Sequence, residues 1–229
     1  MGKTIESLSD KMNFIVSEIY DENNPFMDCK SSEADVAIDF TLPNLAVEHI
    51  KHAVNINLPI VVGTTGWYSL FNEVTEYVNS HNGSLFYATN FSIGVNLFFA
   101  MNRTLAKWMN NQTDYQVSMT EIHHTEKKDA PSGTAITLAE QTIESIERLK
   151  DHVMVDSFSG VPTTNLPIKA IREPNVPGTH TLVYESDIDK IEITHEAKGR
   201  LGFAQGAVSA ALFLKGKKGV FNMSDLLKF

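Results

Sequence analysis

The chain has 229 residues, of which 42% are hydrophobic, and this is enough for one large domain or two smaller ones. Its formal net charge of -9 argues against a general nucleic-acid-binding protein, and no apolar run approaches the about 18 residues of a membrane-spanning helix. Cys29 is the only cysteine, which excludes an intrachain disulfide and a thiolate metal cluster, so we expect a reducing compartment, the cytoplasm.

The first part of the chain alternates helical and strand patterns. We predict helices over residues 2–11, 45–56 and 69–81, and strands over residues 13–21, 34–41, 59–66 and 84–92. Hydrophobic strands that alternate with helices are typical of an α/β fold with a Rossmann-like, doubly wound parallel sheet. Ligands of such sheets bind beyond the carboxyl ends of the strands, where the motifs "DFT", "GTTG" and "ATNFS" lie.

The second part has a different organisation. Its patterns predict helices over residues 94–109 and 132–149, and strands over residues 114–124, 167–173, 178–186 and 189–197. Successive extended runs favour an antiparallel or mixed sheet, which indicates a second, α+β domain. A helix over residues 203–216 could pack on the first domain. We therefore expect a discontinuous domain of residues 1–92 with 203–229, and a second domain of residues 93–202.

The stretch "EIHHTEKKDAPSGTA" (121–135) concentrates ionisable residues ahead of a predicted helix. Ser132 has the properties of a helix N-cap, so Gly133 and Thr134 would offer backbone N–H groups at the positive end of the helix dipole. Such an end binds carboxylates or phosphates. The loop before it carries His123, His124, Lys127 and Lys128. The pattern indicates an anion pocket that contains an acid, and an exposed basic loop before an ordinary helix is the alternative.

The remaining histidines and arginines allow a weaker alternative. A zinc site would need a third ligand from His180 or His195, and the sequence lacks the H-E-x-x-H pattern. Hydrogen-bonded structural histidines are the competing interpretation. Arg172 and Arg200 fit surface or inter-strand ion pairs, or contacts with substrate or another subunit.

The strand ends of the first domain suggest a cofactor. "VGTTG" (62–66) could bring backbone close to a ligand, and "ATNFSIGVN" (88–96) could place Asn90 and Phe91 beside a flat ring. Asp21 ends the predicted strand 13–21, where an acidic residue would meet an adenosine ribose. Plain turns and a solvated acid are the alternatives.

Taken in order, the motifs resemble the dihydrodipicolinate reductase family. They are "DVAIDFTLP", "VVGTTGW", "ATNFSIGVNLF", "EIHHTEKKDAPSGTA", "PGTH" and "ITHEAKGRLGFAQGAVSAALFL". The resemblance implies a two-domain enzyme that transfers hydride from NADH or NADPH. It implies reduction of the cyclic dicarboxylate 4-hydroxy-tetrahydrodipicolinate to tetrahydrodipicolinate in diaminopimelate and lysine biosynthesis. It also implies a homotetramer formed through the sheet of the second domain.

The resemblance also assigns roles to individual residues. His123 is the implied proton donor, and Lys127 its partner acid. The implied substrate contacts are His124, Gly133 and Thr134. The implied cofactor contacts are Gly63, Thr64, Thr65, Ala88, Thr89, Asn90 and Phe91. Asp21 would favour NADH, although Lys30 nearby leaves NADPH open, and no metal is expected.

The chain departs from the family at its beginning. The family starts with a strand and a glycine-rich loop of the form G-x-x-G-x-M-G, whereas this chain starts at Met1-Gly2. We therefore expect an N-terminal truncation that lacks the first strand and most of the loop. The alternative to an active reductase is accordingly a non-catalytic remnant with impaired cofactor binding, because those loop amides hold the pyrophosphate.

Overall fold

The structure, a computed structural model, describes residues 1–30 and 33–229. It divides into two compact units, Met1–Asn96 with Leu201–Phe229, and Leu97–Arg200. The helices are α1 (Gly2–Glu6), α2 (Ser9–Met12), α3 (Pro43–Asn55), α4 (Phe71–Ser80), α5 (Ile93–Met109), α6 (Gly133–Ser145), α7 (Leu201–Leu214) and α8 (Met223–Leu227). The strands are β1 (Ala37–Asp39), β2 (Ile60–Val62), β3 (Ser84–Tyr87), β4 (Gln116–His123), β5 (Asp151–Met154), β6 (Asn165–Arg172), β7 (Thr179–Glu185), β8 (Lys190–Glu196) and β9 (Gly219–Phe221). Within the described ranges, no helix is long and apolar enough to cross a membrane.

The first unit contains a four-stranded parallel sheet in the order β1-β2-β3-β9. All three residues of β2 are buried, but successive side chains of a strand point to opposite faces. Ile60 and Val62 pack in a cluster with residues of α3 and α4, whereas Val61 packs in another with residues of α7. Helices therefore cover both faces of the sheet, which confirms the predicted Rossmann-like class.

Several predictions of local structure in this unit are wrong. Residues 13–21 form no strand, because the segment pairs with none of the described strands, and Ile15 is 92% exposed. An isolated extended segment cannot satisfy its backbone groups through a ladder. The helix predicted over residues 2–11 is divided into α1 and α2. The short elements β9 and α8 were not predicted.

The second unit contains a five-stranded mixed sheet in the order β5-β6-β4-β7-β8. Its central strand β4 runs parallel to β6 and antiparallel to β7, which confirms the predicted mixed sheet. Alternate β4 residues are buried, and they include Met119, Glu121 and His123. Strand β5 was missed because it is short and only partly buried, so its pattern is weak. The residue ranges of the functional domains stay a prediction.

Candidate active site

A cluster of buried ionisable side chains lies on one face of the mixed sheet. Glu121 and His123 share this face because they are two residues apart on β4. His180 lies on β7 directly opposite Glu121, and its ring centroid is 5.0 Å from that of His123. The exposed fractions of the three residues are 0%, 7% and 4%, respectively. The mixed sheet therefore brings together Glu121 and His180, which are 59 positions apart in the chain.

Glu121 lies at the centre of this cluster. One carboxylate oxygen accepts the backbone N–H of Ser132 at 3.0 Å, and the other accepts Nη2 of Arg172 at 3.3 Å. Nδ1 of His123 is 3.6 Å from the carboxylate, and Nε2 of His180 is 3.8 Å from it. The interpretation of Arg172 as part of an inter-strand ion pair is thereby confirmed, because Arg172 lies on β6 and Glu121 on β4.

The start of α6 has the structure that its residues predict. Ser132 is the N-cap, and its side-chain oxygen accepts the N–H of Ala135 at 3.2 Å. That hydroxyl also lies 3.0 Å from Nε2 of His180, so the cap is tied to the buried cluster. The N–H groups of Gly133 and Thr134 precede the hydrogen-bond ladder of the helix. The space beside Gly133 is open, since an added Cβ would meet nothing within 4 Å.

The loop between β4 and α6 contains two different local arrangements. Nζ of Lys127 donates to both carboxylate oxygens of Asp129, at 2.8 and 2.7 Å. Arg172 donates to the backbone carbonyls of Lys127 and Asp129, at 3.3 and 2.7 Å. His124 lies outside this network, since its Nδ1 is 2.9 Å from Glu126. Of the two predicted histidines, only His123 therefore joins the buried cluster.

Burial controls the protonation of the histidines. It lowers the pKa of His123 below its ordinary value; the carboxylate of Glu121 opposes this shift, and the cationic Lys127 and Arg172 add to it. Burial, together with the neighbouring His123, lowers the pKa of His180 to about 3. Burial also lowers the pKa of His195. His180 is therefore neutral at physiological pH, whereas the pKa of His123 depends on a balance between burial and the opposing charges of Glu121 and of Lys127 and Arg172.

The zinc alternative gains three candidate ligand atoms from this arrangement. One atom each from Glu121, His123 and His180 lie within 4.8 Å of one another. Both oxygens of Glu121 already accept hydrogen bonds, however, and the cationic Arg172 is against one of them. A dication would have to bind beside that positive charge, so we assign no metal to these residues.

The strand ends of the first unit are organised around buried Asp39, the last residue of β1. Its carboxylate accepts hydrogen bonds from the backbone and hydroxyl of Thr41 at 2.7 and 2.8 Å, and from the Thr64 hydroxyl at 3.0 Å. The other oxygen is 2.7 Å from Nδ1 of His49. Of the two predicted threonines, Thr64 is therefore used internally, whereas Thr65 is exposed beside it. Burial raises the pKa of Asp39, but these hydrogen bonds outweigh it and hold the pKa below its ordinary value.

The other predicted cofactor residues differ in how much they expose. Thr89 is exposed, while Ala88 and Phe91 are buried. The Phe91 ring packs 5.7 Å from that of Phe40, so its side chain belongs to the hydrophobic core. The side chain of Asn90 accepts the N–H of Ser92 at 2.9 Å and stabilises the turn into α5.

Asp21 and Gly63 also have definite local roles. Asp21 accepts the N–H groups of Asn23 and Asn24 at 2.8 and 3.1 Å, so it stabilises an exposed turn and does not end a strand. A Cβ on Gly63 would lie 2.1 Å from the ring of Phe40, which explains the glycine by close packing. The strand-end argument for Asp21 is therefore wrong, and its contact with ribose stays a prediction.

The sequence motifs predict no function for Glu121 or Asp39, the two acids around which these regions are built. A usable signal was present for Glu121, because it occupies an inward position of the alternating strand β4. A charged residue at such a position must have a compensating partner.

Comparison with known proteins covers nearly the whole chain. Family models described as "Dihydrodipicolinate reductase, N-terminus" and "Dihydrodipicolinate reductase, C-terminus" match residues 2–91 and 94–227. A 4-hydroxy-tetrahydrodipicolinate reductase from Christiangramia forsetii is 46% identical over 99% of this chain and 93% of the relative. One from Akkermansia muciniphila is 35% identical over 99% of this chain and 93% of the relative. These matches do not show the expected truncation.

The fold is also found in a solved structure. The dipicolinate-bound dihydrodipicolinate reductase of Paenisporosarcina sp. TG-14 superposes with a TM-score of 0.70. The match is 22% identical and covers 84% of this chain and 73% of that one, which supports the fold alone. The resemblance carried by the sequence motifs is thus confirmed by the family models and by the relatives, and the chain belongs to the dihydrodipicolinate reductase family.

Proposed function

We propose that the protein reduces 4-hydroxy-tetrahydrodipicolinate to tetrahydrodipicolinate with NADH or NADPH in diaminopimelate and lysine biosynthesis. Family membership supports this reaction and implies the use of NAD(P)H. The structural observation that carries the proposal is the position of buried His123 in one cluster with the capped start of α6. An anion site and a proton donor in one place suit a dicarboxylate that accepts a hydride.

The start of α6 is the proposed anchor for a substrate carboxylate. The N–H groups of Gly133 and Thr134 are oriented by the helix, and the helix dipole favours negative charge there. Because Gly133 has no side chain and the space beside it is open, a ligand can approach the backbone closely. His124 is half-exposed and can contribute a further contact once it leaves Glu126.

His123 is the proposed proton donor, and Lys127 its partner. The pKa of His123 is lowered by burial, so the neutral ring predominates without a ligand. A bound dicarboxylate brings negative charge next to the ring, and this favours the protonated form. Substrate binding would thereby protonate His123 before the proton is transferred. Lys127 supplies a positive charge that lowers the barrier as negative charge develops on the substrate.

The turns after β2 and β3 are the proposed contacts for the dinucleotide. The residues proposed to hold it are Gly63, Thr64, Thr65, Ala88, Thr89, Asn90 and Phe91. The residues fit such a ligand in that Thr65 and Thr89 are exposed at carboxyl ends of parallel strands. Since the side chain of Phe91 is in the core, its contact would be made by backbone atoms. When bound, the nicotinamide supplies the hydride.

Cofactor preference and assembly are finer proposals. Asp21 favours NADH through a ribose hydroxyl, and replacing it by serine should raise kcat/KM for NADPH relative to NADH. We propose a homotetramer formed through the mixed sheet, whose edge strand β8 exposes 38% of Ile191. Sedimentation of the purified protein tests the assembly, and a monomer at micromolar concentration would contradict it.

The decisive experiment is a steady-state assay with freshly generated 4-hydroxy-tetrahydrodipicolinate. Oxidation of NADH and NADPH is followed by absorbance, with a substrate-free reaction and His123→Gln as controls. The expected result is substrate-dependent oxidation that His123→Gln slows by about 10²-fold or more, and oxidation equal in all three reactions would contradict the proposal. Calorimetric titration with each dinucleotide separates this case from the alternative of a remnant with impaired cofactor binding.

A further inference from the structure

The proposed mechanism does not explain why the charged side chain of Glu121 is buried. Its carboxylate is fully buried, and a buried charge is costly unless it is paired and hydrogen-bonded. Arg172 and the Ser132 N–H supply those partners. Apolar residues of similar size could fill the same space without this cost. The charge therefore calls for a reason beyond the stability of the sheet.

The contacts of Glu121 reach all three parts of the candidate site. It is adjacent to His123, with 3.6 Å between the carboxylate and Nδ1. It binds the N–H of Ser132, which begins α6. Through Arg172 it reaches the loop, because Arg172 also donates to the carbonyls of Lys127 and Asp129. Glu121 therefore links the ring of His123 and the start of α6 directly, and the Lys127 loop through Arg172.

We propose that Glu121, held by Arg172, is the positioning residue of this active site. It fixes the ring of His123, the backbone of the Lys127 loop and the start of α6 relative to one another. It also faces His123 with a negative charge at a distance that leaves Nδ1 without a hydrogen bond among the described residues. The catalytic meaning of this inference rests on the proposed function, whereas its electrostatic part can be measured without turnover.

The charges around His123 determine the sign of each test. The groups that face it are Glu121 on β4, Arg172 on β6, His180 on β7, and Lys127 and Asp129 in the loop. Removing the negative charge of Glu121 should lower the pKa of His123 further, since the carboxylate favours the imidazolium. Removing the positive charge of Arg172 should raise the pKa of His123 for the opposite reason.

Two variants, the nearly isosteric Glu121→Gln and the shorter, uncharged Arg172→Gln, test the proposal in the full chain. The titration of His123 is followed by NMR of its ring protons, with the signal assigned by its loss in His123→Gln. We expect Glu121→Gln to move the midpoint to lower pH and Arg172→Gln to move it to higher pH. A general loosening of the fold would move both midpoints toward the ordinary histidine value, and that outcome, or no movement, would overturn the proposal.

Arg172→Gln keeps the test informative if Glu121→Gln does not fold. Arg172 is partly exposed, so its replacement disturbs the core less, and a midpoint that fails to rise in this variant alone would overturn the proposal. Exposed Glu140 on α6 provides the matched control. Glu140→Gln should leave the titration of His123 unchanged, and a shift equal to that of Glu121→Gln would show a nonspecific charge effect and overturn the assignment.

Positioning is measured separately by ligand binding. Pyridine-2,6-dicarboxylate serves as the probe, and its affinity is measured by calorimetry for the parent, both variants and Glu140→Gln. We expect Glu121→Gln and Arg172→Gln each to bind the probe about tenfold more weakly, which is the loss typical of one charged hydrogen bond. Glu140→Gln should bind the probe with the affinity of the parent. Unchanged affinity in both Glu121→Gln and Arg172→Gln would overturn the positioning role. Failure of the parent to bind the probe at all would instead count against the proposed function.

Discussion

Two regions of the molecule are each built on one buried acid, and they use it differently. Asp39 in the first unit is saturated, with four hydrogen-bonding contacts between 2.7 and 3.0 Å. Glu121 in the second unit accepts bonds from Ser132 and Arg172 but leaves His123 at 3.6 Å without one. A carboxylate whose hydrogen bonds are all made within the chain holds turns in place, whereas a neighbouring imidazole without such a bond is free to react. The difference supports the proposal that Asp39 is a structural brace and that proton transfer takes place beside Glu121.

The largest expected effect comes from removing the proposed acid. His123→Gln should lower kcat by about 10²–10⁴-fold, the usual contribution of general acid catalysis, because glutamine cannot donate a proton in the same way. Dinucleotide affinity should change little, since the proposed cofactor residues belong to the other unit. Steady-state kinetics and calorimetry check the two effects. Retention of full kcat would show that His123 is not the acid.

Adjacent lysines in the loop offer a matched pair that sharpens the comparison. Lys127→Ala should lower kcat by about 10²-fold, because Lys127 contributes a positioned charge to the developing negative charge. Lys128 is exposed, and Lys128→Ala should change kcat by less than about twofold. Both variants are assayed at several salt concentrations. Equal losses of kcat in the two variants would show that Lys127 contributes only to the overall positive charge of the loop.

Asp39→Asn tests whether the acid of the first unit is a brace. Breaking a buried pair costs about 3–5 kcal/mol, so urea unfolding near neutral pH should show a loss of that order. The pKa of Asp39 is lowered in the folded protein. Its stabilisation is therefore present above the unfolded value of about 4 and is lost as pH falls through the folded pKa.

The same acid provides a control for that prediction. The stability difference between the parent and Asp39→Asn should shrink below about pH 4, and a constant difference would contradict the assignment. Asp35 is a matched surface acid, paired with Lys215 at 2.8 Å and largely exposed. Asp35→Asn should cost less than about 1 kcal/mol at any pH.

The smallest expected effect is at the start of α6. Gly133→Ala adds a Cβ that meets no atom of the chain, so unfolding stability should be unchanged or slightly higher, as alanine favours helix. The added methyl group occupies the space through which a ligand approaches the backbone, so KM should rise about tenfold with little loss of kcat. Glu140→Ala on the same helix is the control. An unchanged KM would remove the helix start from the substrate site.

Features were predictable from the sequence when the residues that interact to form them are close together in the chain. Ser132 was recognisable as an N-cap because its partner, the N–H of Ala135, is three residues away. Strand β4 was recognisable from the alternation of its own residues. Residues 13–21 have an equally good strand pattern, yet they form no strand, because pairing is decided by what lies alongside.

The site shows the same division. The motif around His123 and Lys127 identified the family and predicted these two residues for the proton chemistry, but its spacing did not separate His123 from His124. That separation arises because His123 ends β4 on its buried face, while His124 lies beyond the strand and pairs with Glu126. Glu121 stood in the same motif without an assigned role. Its partner Arg172 is 51 residues away and meets it only across β4 and β6.

Local pattern and motif order are therefore sufficient for the fold class, the family and the helix start that favours an anion. These properties depend on periodicity and on hydrogen bonds between residues a few positions apart. Only the tertiary structure decides which acids are buried, which histidine joins them, and that Arg172 ties the Lys127 loop to Glu121. The physical reason is that burial and charge pairing depend on neighbours brought in by other strands, and short-range patterns carry no record of those neighbours.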